Sequence, residues 1–98
     1  MLSLDEILMA PRITLDLAAN GELEILLNEE GRDLLVRKLL ALNQTSEHFH
    51  LGAYDGAEVK LRSQPYGKTD KIILAAKVLF RTDEWDLRYY PHVMSNGD

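Results

Sequence analysis

The chain has 98 residues, of which 46% are hydrophobic, and 16 acidic against 11 basic side chains give it a formal net charge of −5. That length points to one domain, and that hydrophobic share excludes a disordered chain. The acidic balance argues against general nucleic-acid binding and against docking on anionic membranes, while the lack of cysteine removes disulfides, thiolate nucleophiles and cysteine-ligated zinc.

Leu4, Ile7 and Leu8 follow Ser3 at i, i+3, i+4 spacing, which predicts a short helical turn over residues 4–9, ended by Pro11. The first nine residues carry two acids and no basic stretch, unlike a secretion signal, and no apolar run reaches the length of a membrane span. The expected compartment is the cytoplasm. Residues 12–18 alternate, with Ile13, Leu15 and Leu17 on one side and Arg12, Thr14 and Asp16 on the other. Asn20-Gly21 is a strong hairpin signal, and residues 22–27 alternate again, with Leu23, Ile25 and Leu27 expected inward and Glu22 and Glu24 outward. Asn28 is a good N-cap for a helix over 29–43, and Glu29, Glu30 and Asp33 suit its positive end. Leu35, Val36, Leu39 and Leu42 form the expected apolar stripe, with Leu34 and Leu40 on its flanks.

A third strand is predicted over 47–54, where Phe49, Leu51 and Ala53 alternate with His48, His50 and Tyr54. Asp55-Gly56 predicts a second two-residue hairpin turn, leading to a fourth strand over 57–63 with Val59 and Leu61 inward and Glu58, Lys60 and Arg62 outward. A loop around Pro65 and Gly67 precedes a fifth strand over 71–81. Both faces of that strand are apolar, as in a strand covered on both sides by the C-terminal segment or another subunit. The segment with Trp85, Leu87, Tyr89 and Tyr90 is expected to fold back as a short strand and to complete the core or a dimer interface, and Ser95–Asp98 to fray. The fold class is therefore α+β: a single domain over 1–98, ordered β-β-α-β-β-β, with a mostly antiparallel sheet of about five strands and one main helix on one face.

His48-x-His50 places two imidazoles on the same side of a strand. A zinc site needs a third ligand, for which Glu58, Asp55 and His92 are candidates; a partner-facing or simply polar face is the plainer reading. The carboxylate pairs Glu22/Glu24, Glu29/Glu30 and Asp83/Glu84 fall at strand edges, a helix start and a turn, where solvation and capping account for them. General acid–base catalysis needs such groups to converge in one pocket. There is no Gly-rich phosphate loop, HExxH, nucleophile elbow or Ser-His-Asp set, and Gly67-Lys68-Thr69 lacks the upstream glycine and following helix of a Walker motif. Neither an enzyme nor a cofactor is expected.

The element order resembles the immunity protein 32 family of bacterial polymorphic toxin systems. The similarity rests on Ile13-Thr14-Leu15 before Asn20-Gly21, Leu23-Glu24-Ile25-Leu26, the helix from Gly31 to Leu39, His48-Phe49-His50-Leu51 and Glu58-Val59-Lys60-Leu61. The resemblance implies a small cytoplasmic protein that binds and neutralises a cognate toxin domain without catalysis of its own. A nuclease toxin has a basic cleft for phosphates, which an inhibitor fills with carboxylates. The expected contact residues are then Asp16, Glu22 and Glu24 around the first hairpin, and Glu58 beside His48, His50 and Tyr54 on the sheet, with charge speeding encounter and Tyr54 anchoring the complex. Two other readings stand beside this one. The chain is a homodimeric assembly domain that uses strand five and the Trp85–Tyr90 segment, or a small metal-binding protein built on the His-x-His strand. A homodimer is the expected oligomer.

Overall fold

A computed structural model describes residues 10–95. The turn expected over 4–9 and the tail 96–98 lie outside the described residues. The chain forms β1 (Ile13–Leu17), β2 (Leu23–Leu27), helix α1 (Glu29–Leu40), β3 (His48–Gly52), β4 (Val59–Lys60), β5 (Lys71–Ile72), β6 (Ala75–Leu79), helix α2 (Asp83–Tyr89) and a 3-10 turn (Pro91–Met94). This is the expected α+β class. The strands divide into two three-stranded sheets, ordered β2-β1-β5 and β4-β3-β6. No helix among the described residues is long and apolar enough to cross a membrane.

The β1–β2 hairpin forms where the alternation predicts it, in the register Ile13↔Leu27 through Leu17↔Leu23. Its loop is one residue longer than a two-residue turn. The Gly21 N–H donates to Ala18 O and the Ala18 N–H to Glu22 O, with Gly21 alone at positive φ. The glycine supplies the left-handed residue that closes a three-residue loop.

Asn28 ties this hairpin to the helix. Its Oδ1 accepts the Gly31 N–H at 2.8 Å, capping α1, and also the Arg12 N–H at 2.9 Å; its Nδ2 donates to Ala10 O. A Cβ on Gly31 would lie 2.5 Å from the Arg12 carbonyl oxygen, so the helix approaches β1 as closely as backbone permits. This contact sets the rotation of α1. Residues three, four and eleven positions beyond Gly31 share its face, and Leu34, Leu35 and Leu42 do pack on the core. Val36 and Leu39, expected in the stripe, are exposed instead, and Leu40 is 81% exposed.

The core is Ile13, Leu15, Phe49, Leu51, Val59 and Leu61, which brings β1 and β3 together. Two segments stitch the sheets. Residues 59–62 pass from β3 to β1 through Leu61 N–H to Gly52 O and Arg62 N–H to Ile13 O. Residues 71–80 leave β1 after Ile73 N–H to Leu15 O and join β3 at Ala53 N–H to Leu74 O. The expected fifth strand is therefore one extended run divided into β5 and β6 because its pairing partner changes. The expected hairpin at Asp55-Gly56 is corrected as well. Gly56 is at positive φ but Asp55 is not, so the turn lacks the two left-handed residues of a type I′ hairpin. β4 instead returns to lie parallel to β3, pairing only Leu51↔Val59 and Gly52↔Lys60.

The C-terminal aromatic segment is a helix rather than a strand. Thr82 Oγ1 accepts the Trp85 N–H at 3.1 Å, and Asp83, Glu84 and Asp86 occupy the first turn. Trp85 lies 4.8 Å from Tyr89 and 5.4 Å from Tyr90 between ring centroids, with the Arg81 guanidinium 4.3 Å from its own ring centroid. These aromatics cluster with one another, outside the core. The radius of gyration is 16.3 Å, against about 13 Å for a compact chain of this length.

Candidate functional site

The residues singled out from the sequence fall into two groups on different sheets. On β3, His48 and His50 point to the side away from Phe49 and Leu51, their ring centroids 5.2 Å apart. Glu58 Oε2 accepts the His50 backbone N–H at 2.7 Å and lies 3.5 Å from His50 Nδ1. The Glu58 carboxyl is held below its ordinary range, first by that backbone N–H and then by its own, with the imidazole contributing less. Tyr54 lays its ring over Gly52, whose missing side chain leaves the space. Lys77 stands opposite His50 across the β3–β6 pair. His48, His50, Tyr54 and Glu58 are thus one exposed or half-exposed polar face. Among the described residues, this face does not bring three ligand atoms within reach of one metal ion. Asp55 instead faces Lys60 Nζ at 3.4 Å, and His92 packs edge-on against Tyr90.

The second group is on the first sheet. Glu22 is exposed and Glu24 half-buried, but Asp16 is 0% exposed, which corrects its expected place on a solvent face. Thr14 is buried with it. The cause is the loop after β4, which covers this side of β1: the Tyr66 N–H donates to Asp16 Oδ2 at 2.8 Å. Asp16 and Glu24 are cross-strand partners, and Asp70, from the turn before β5, joins them with a carboxylate oxygen from each within 4.8 Å of the others. Asp70 is a member that sequence reading missed. The available signal was its even spacing from Ile72, which places it on the Asp16 face once β5 is paired with β1.

The strand edges carry the other feature that alternation does not reveal. In β1–β2 the bonded pairs include Ala18/Glu22 and Arg12/Asn28, so Leu23, Ile25 and Leu27 direct their N–H and C=O groups away from β1. The same residues were expected inward. Register does place their side chains on the face of Ile13 and Leu15, but they stay outside the core cluster, and Leu23 is 56% and Ile25 53% exposed. A groove of about 390 Å³ runs beside them, lined by Ile25, Leu27, Asn28, Glu29 and Arg32. A second cleft, of about 260 Å³, lies between Glu47, Phe80 and the Trp85 face of α2.

Comparison of the chain with protein-family models, with curated proteins and with solved structures finds no match.

Proposed function

We propose that this protein is a non-enzymatic binding protein, an immunity protein that neutralises a cognate bacterial toxin domain in the cytoplasm. One observation carries the binding part: β2 ends its sheet with an outward backbone edge whose three residues, Leu23, Ile25 and Leu27, are all exposed and apolar. Such an edge accepts an extended segment of a partner, with main-chain hydrogen bonds giving affinity and alternate side chains giving specificity. The toxin assignment rests on the resemblance in sequence. Glu22 at the hairpin end supplies negative charge toward a basic partner such as a nuclease, and charge of this kind acts mainly on encounter. Asp16, being buried, makes no direct contact in this reading. Tyr54, His48, His50 and Glu58 form a second contact face on the other sheet.

Co-expression with a candidate toxin domain, sought in the neighbouring genes, tests the proposal. The chain should restore growth, and Ile25→Lys should abolish the rescue while the circular dichroism spectrum is unchanged. Rescue that survives both Ile25→Lys and Tyr54→Ala removes these surfaces from the account. The β2 edge also favours a second reading, self-association. Two copies paired antiparallel about Ile25 join their first sheets into one continuous sheet. Sedimentation of the isolated protein at micromolar concentration separates the two: a dimer dispersed by Ile25→Lys supports assembly, and a monomer leaves the edge for a different chain.

A further inference from the structure

We propose that Asp16, Glu24 and Asp70 form a binding site for a hard divalent cation of the Ca²⁺ or Mg²⁺ kind. Three neighbouring strands or their ends supply one carboxylate each, and register puts all three on one face: Asp16 is opposite Glu24 on β2 and opposite Ile72 on β5, two residues from Asp70. Their ligand oxygens lie within 4.8 Å of one another. Oxygens so placed can meet at a common ion with bonds of about 2.3–2.6 Å after small side-chain adjustments.

Proximity of acids alone is a common surface feature. What separates this cluster is Asp16. The residue is 0% exposed, and only its Oδ2 is satisfied, by the Tyr66 N–H. Oδ1 is buried with no hydrogen-bond partner. Both oxygens belong to one carboxylate, so the unpartnered one lies within a carboxylate's width of the oxygen that meets Glu24 and Asp70. A buried carboxylate oxygen needs a donor or a cation, and leaving it without either is costly. No basic side chain supplies one: the ion pairs among the described residues are Arg32–Asp33, His50–Glu58, Lys60–Asp55 and Arg81–Glu47. The remaining scaffold is already in place. Asp70 Oδ2 accepts the Gly67 N–H at 3.1 Å, which holds the covering turn and fixes the carboxylate. An all-oxygen donor set without histidine or cysteine selects hard cations over zinc or copper. A bound ion would draw β2, β1 and the turn before β5 together and offset two of the three carboxylate charges.

The test uses the whole chain after treatment with a chelator, with Ca²⁺ and Mg²⁺ titrated separately by calorimetry and by thermal melting. The expected result is one ion per chain and a melting temperature that rises with ion concentration, as binding to the folded state requires. Glu24→Gln and Asp70→Asn should each weaken binding by about tenfold or more, while their metal-free melting temperatures stay equal to the parent or rise, because like charges have been removed. Asp16→Asn keeps an acceptor for the Tyr66 N–H and should also abolish binding. Saturable binding of either ion with this dependence supports the site. No heat and no shift with either ion at about 5 mM, a concentration sufficient for the weak end of such sites, overturns it. A shift that persists in all three variants shows adventitious surface binding and overturns it equally.

Discussion

The two longest edge strands, β2 and β6, treat their edges differently. β6 turns Ala75, Lys77 and Leu79 outward, because its bonds to β3 are made through Leu74 and Phe80 and the pairs between them. A lysine in the middle of that edge is a standard obstacle to strand addition. β2 turns out Leu23, Ile25 and Leu27, with no charge, proline or bulge among them. The difference teaches that exposure of apolar residues is not in itself the signal. Both strands have exposed leucines, yet only β2 combines an outward apolar row with an unobstructed backbone ladder.

The largest effect should come from loosening the base of the β2 edge. Asn28 holds the helix cap and the open end of the β1–β2 pairing, so Asn28→Ala should cost about 2–3 kcal/mol, the loss of a cap plus two further hydrogen bonds. In the loop between α1 and β3, Asn43 similarly accepts from Thr45 and Ser46 but only within an exposed turn. Asn43→Ala should cost less than about 1 kcal/mol. Chemical denaturation of the two variants measures the contrast, and equal costs would remove the special place given to Asn28.

Next in size is Ile25→Lys, which gives β2 the obstacle that β6 already has. Association with a partner or second copy should weaken by about tenfold or more, with folding stability within about 0.5 kcal/mol of the parent. Titration calorimetry with the partner, or sedimentation for self-association, reads the first quantity. The reverse exchange, Lys77→Ile, should create a second sticky edge and raise concentration-dependent association in light scattering. An unchanged particle size at high concentration would mean that the lysine guards nothing.

The smallest effect concerns Glu58. Its folded-state pKa is lowered, so its contact with His50 is intact above the ordinary value of 4.5 and is lost as pH falls through the lower folded value. A carboxyl-carbon NMR titration should place the midpoint below 4.5. In His50→Ala the midpoint should remain depressed, because the leading cause is the backbone N–H of residue 50, which the substitution keeps. A midpoint at 4.5 or above in the parent contradicts the geometry.

Local pattern made the hairpin, the capped helix and β3 legible, because alternation, Asn20-Gly21 and Asn28 act within a few residues of one another. Depth was not legible. Leu23, Ile25 and Leu27 have the same alternation as Ile13 and Leu15, yet β2 is an edge strand and β1 the central one, an order that alternation does not carry. Asp16 reads as a solvent-facing acid until a turn fifty residues later is seen to cover it. The Trp85 helix was missed because aromatic content suggested a strand, whereas the Thr82 cap and the acids behind it decided the local conformation. The histidine face was recovered as a group, but its distance in topology from Asp16 and Glu24 depends on how the strands divide into sheets, which alternation does not encode.

The run from Lys71 to Phe80 has a consequence for how the molecule comes apart. It is the outer neighbour of β1 over its first residues and of β3 over the rest. Neither sheet can be completed before this late stretch of chain arrives, and neither can shed it without stripping the other. The two sheets therefore open as one cooperative unit rather than as separate foldons. The amides of Ile73 and Ala53, which report on opposite sheets, should exchange with solvent at matching free energies. The pairing of a strand near the start of the chain with one more than fifty residues away also makes formation a slow, non-local event. During synthesis, the second flank of β1 stays unpaired until that segment has emerged, so until then the first hairpin has two open edges instead of one.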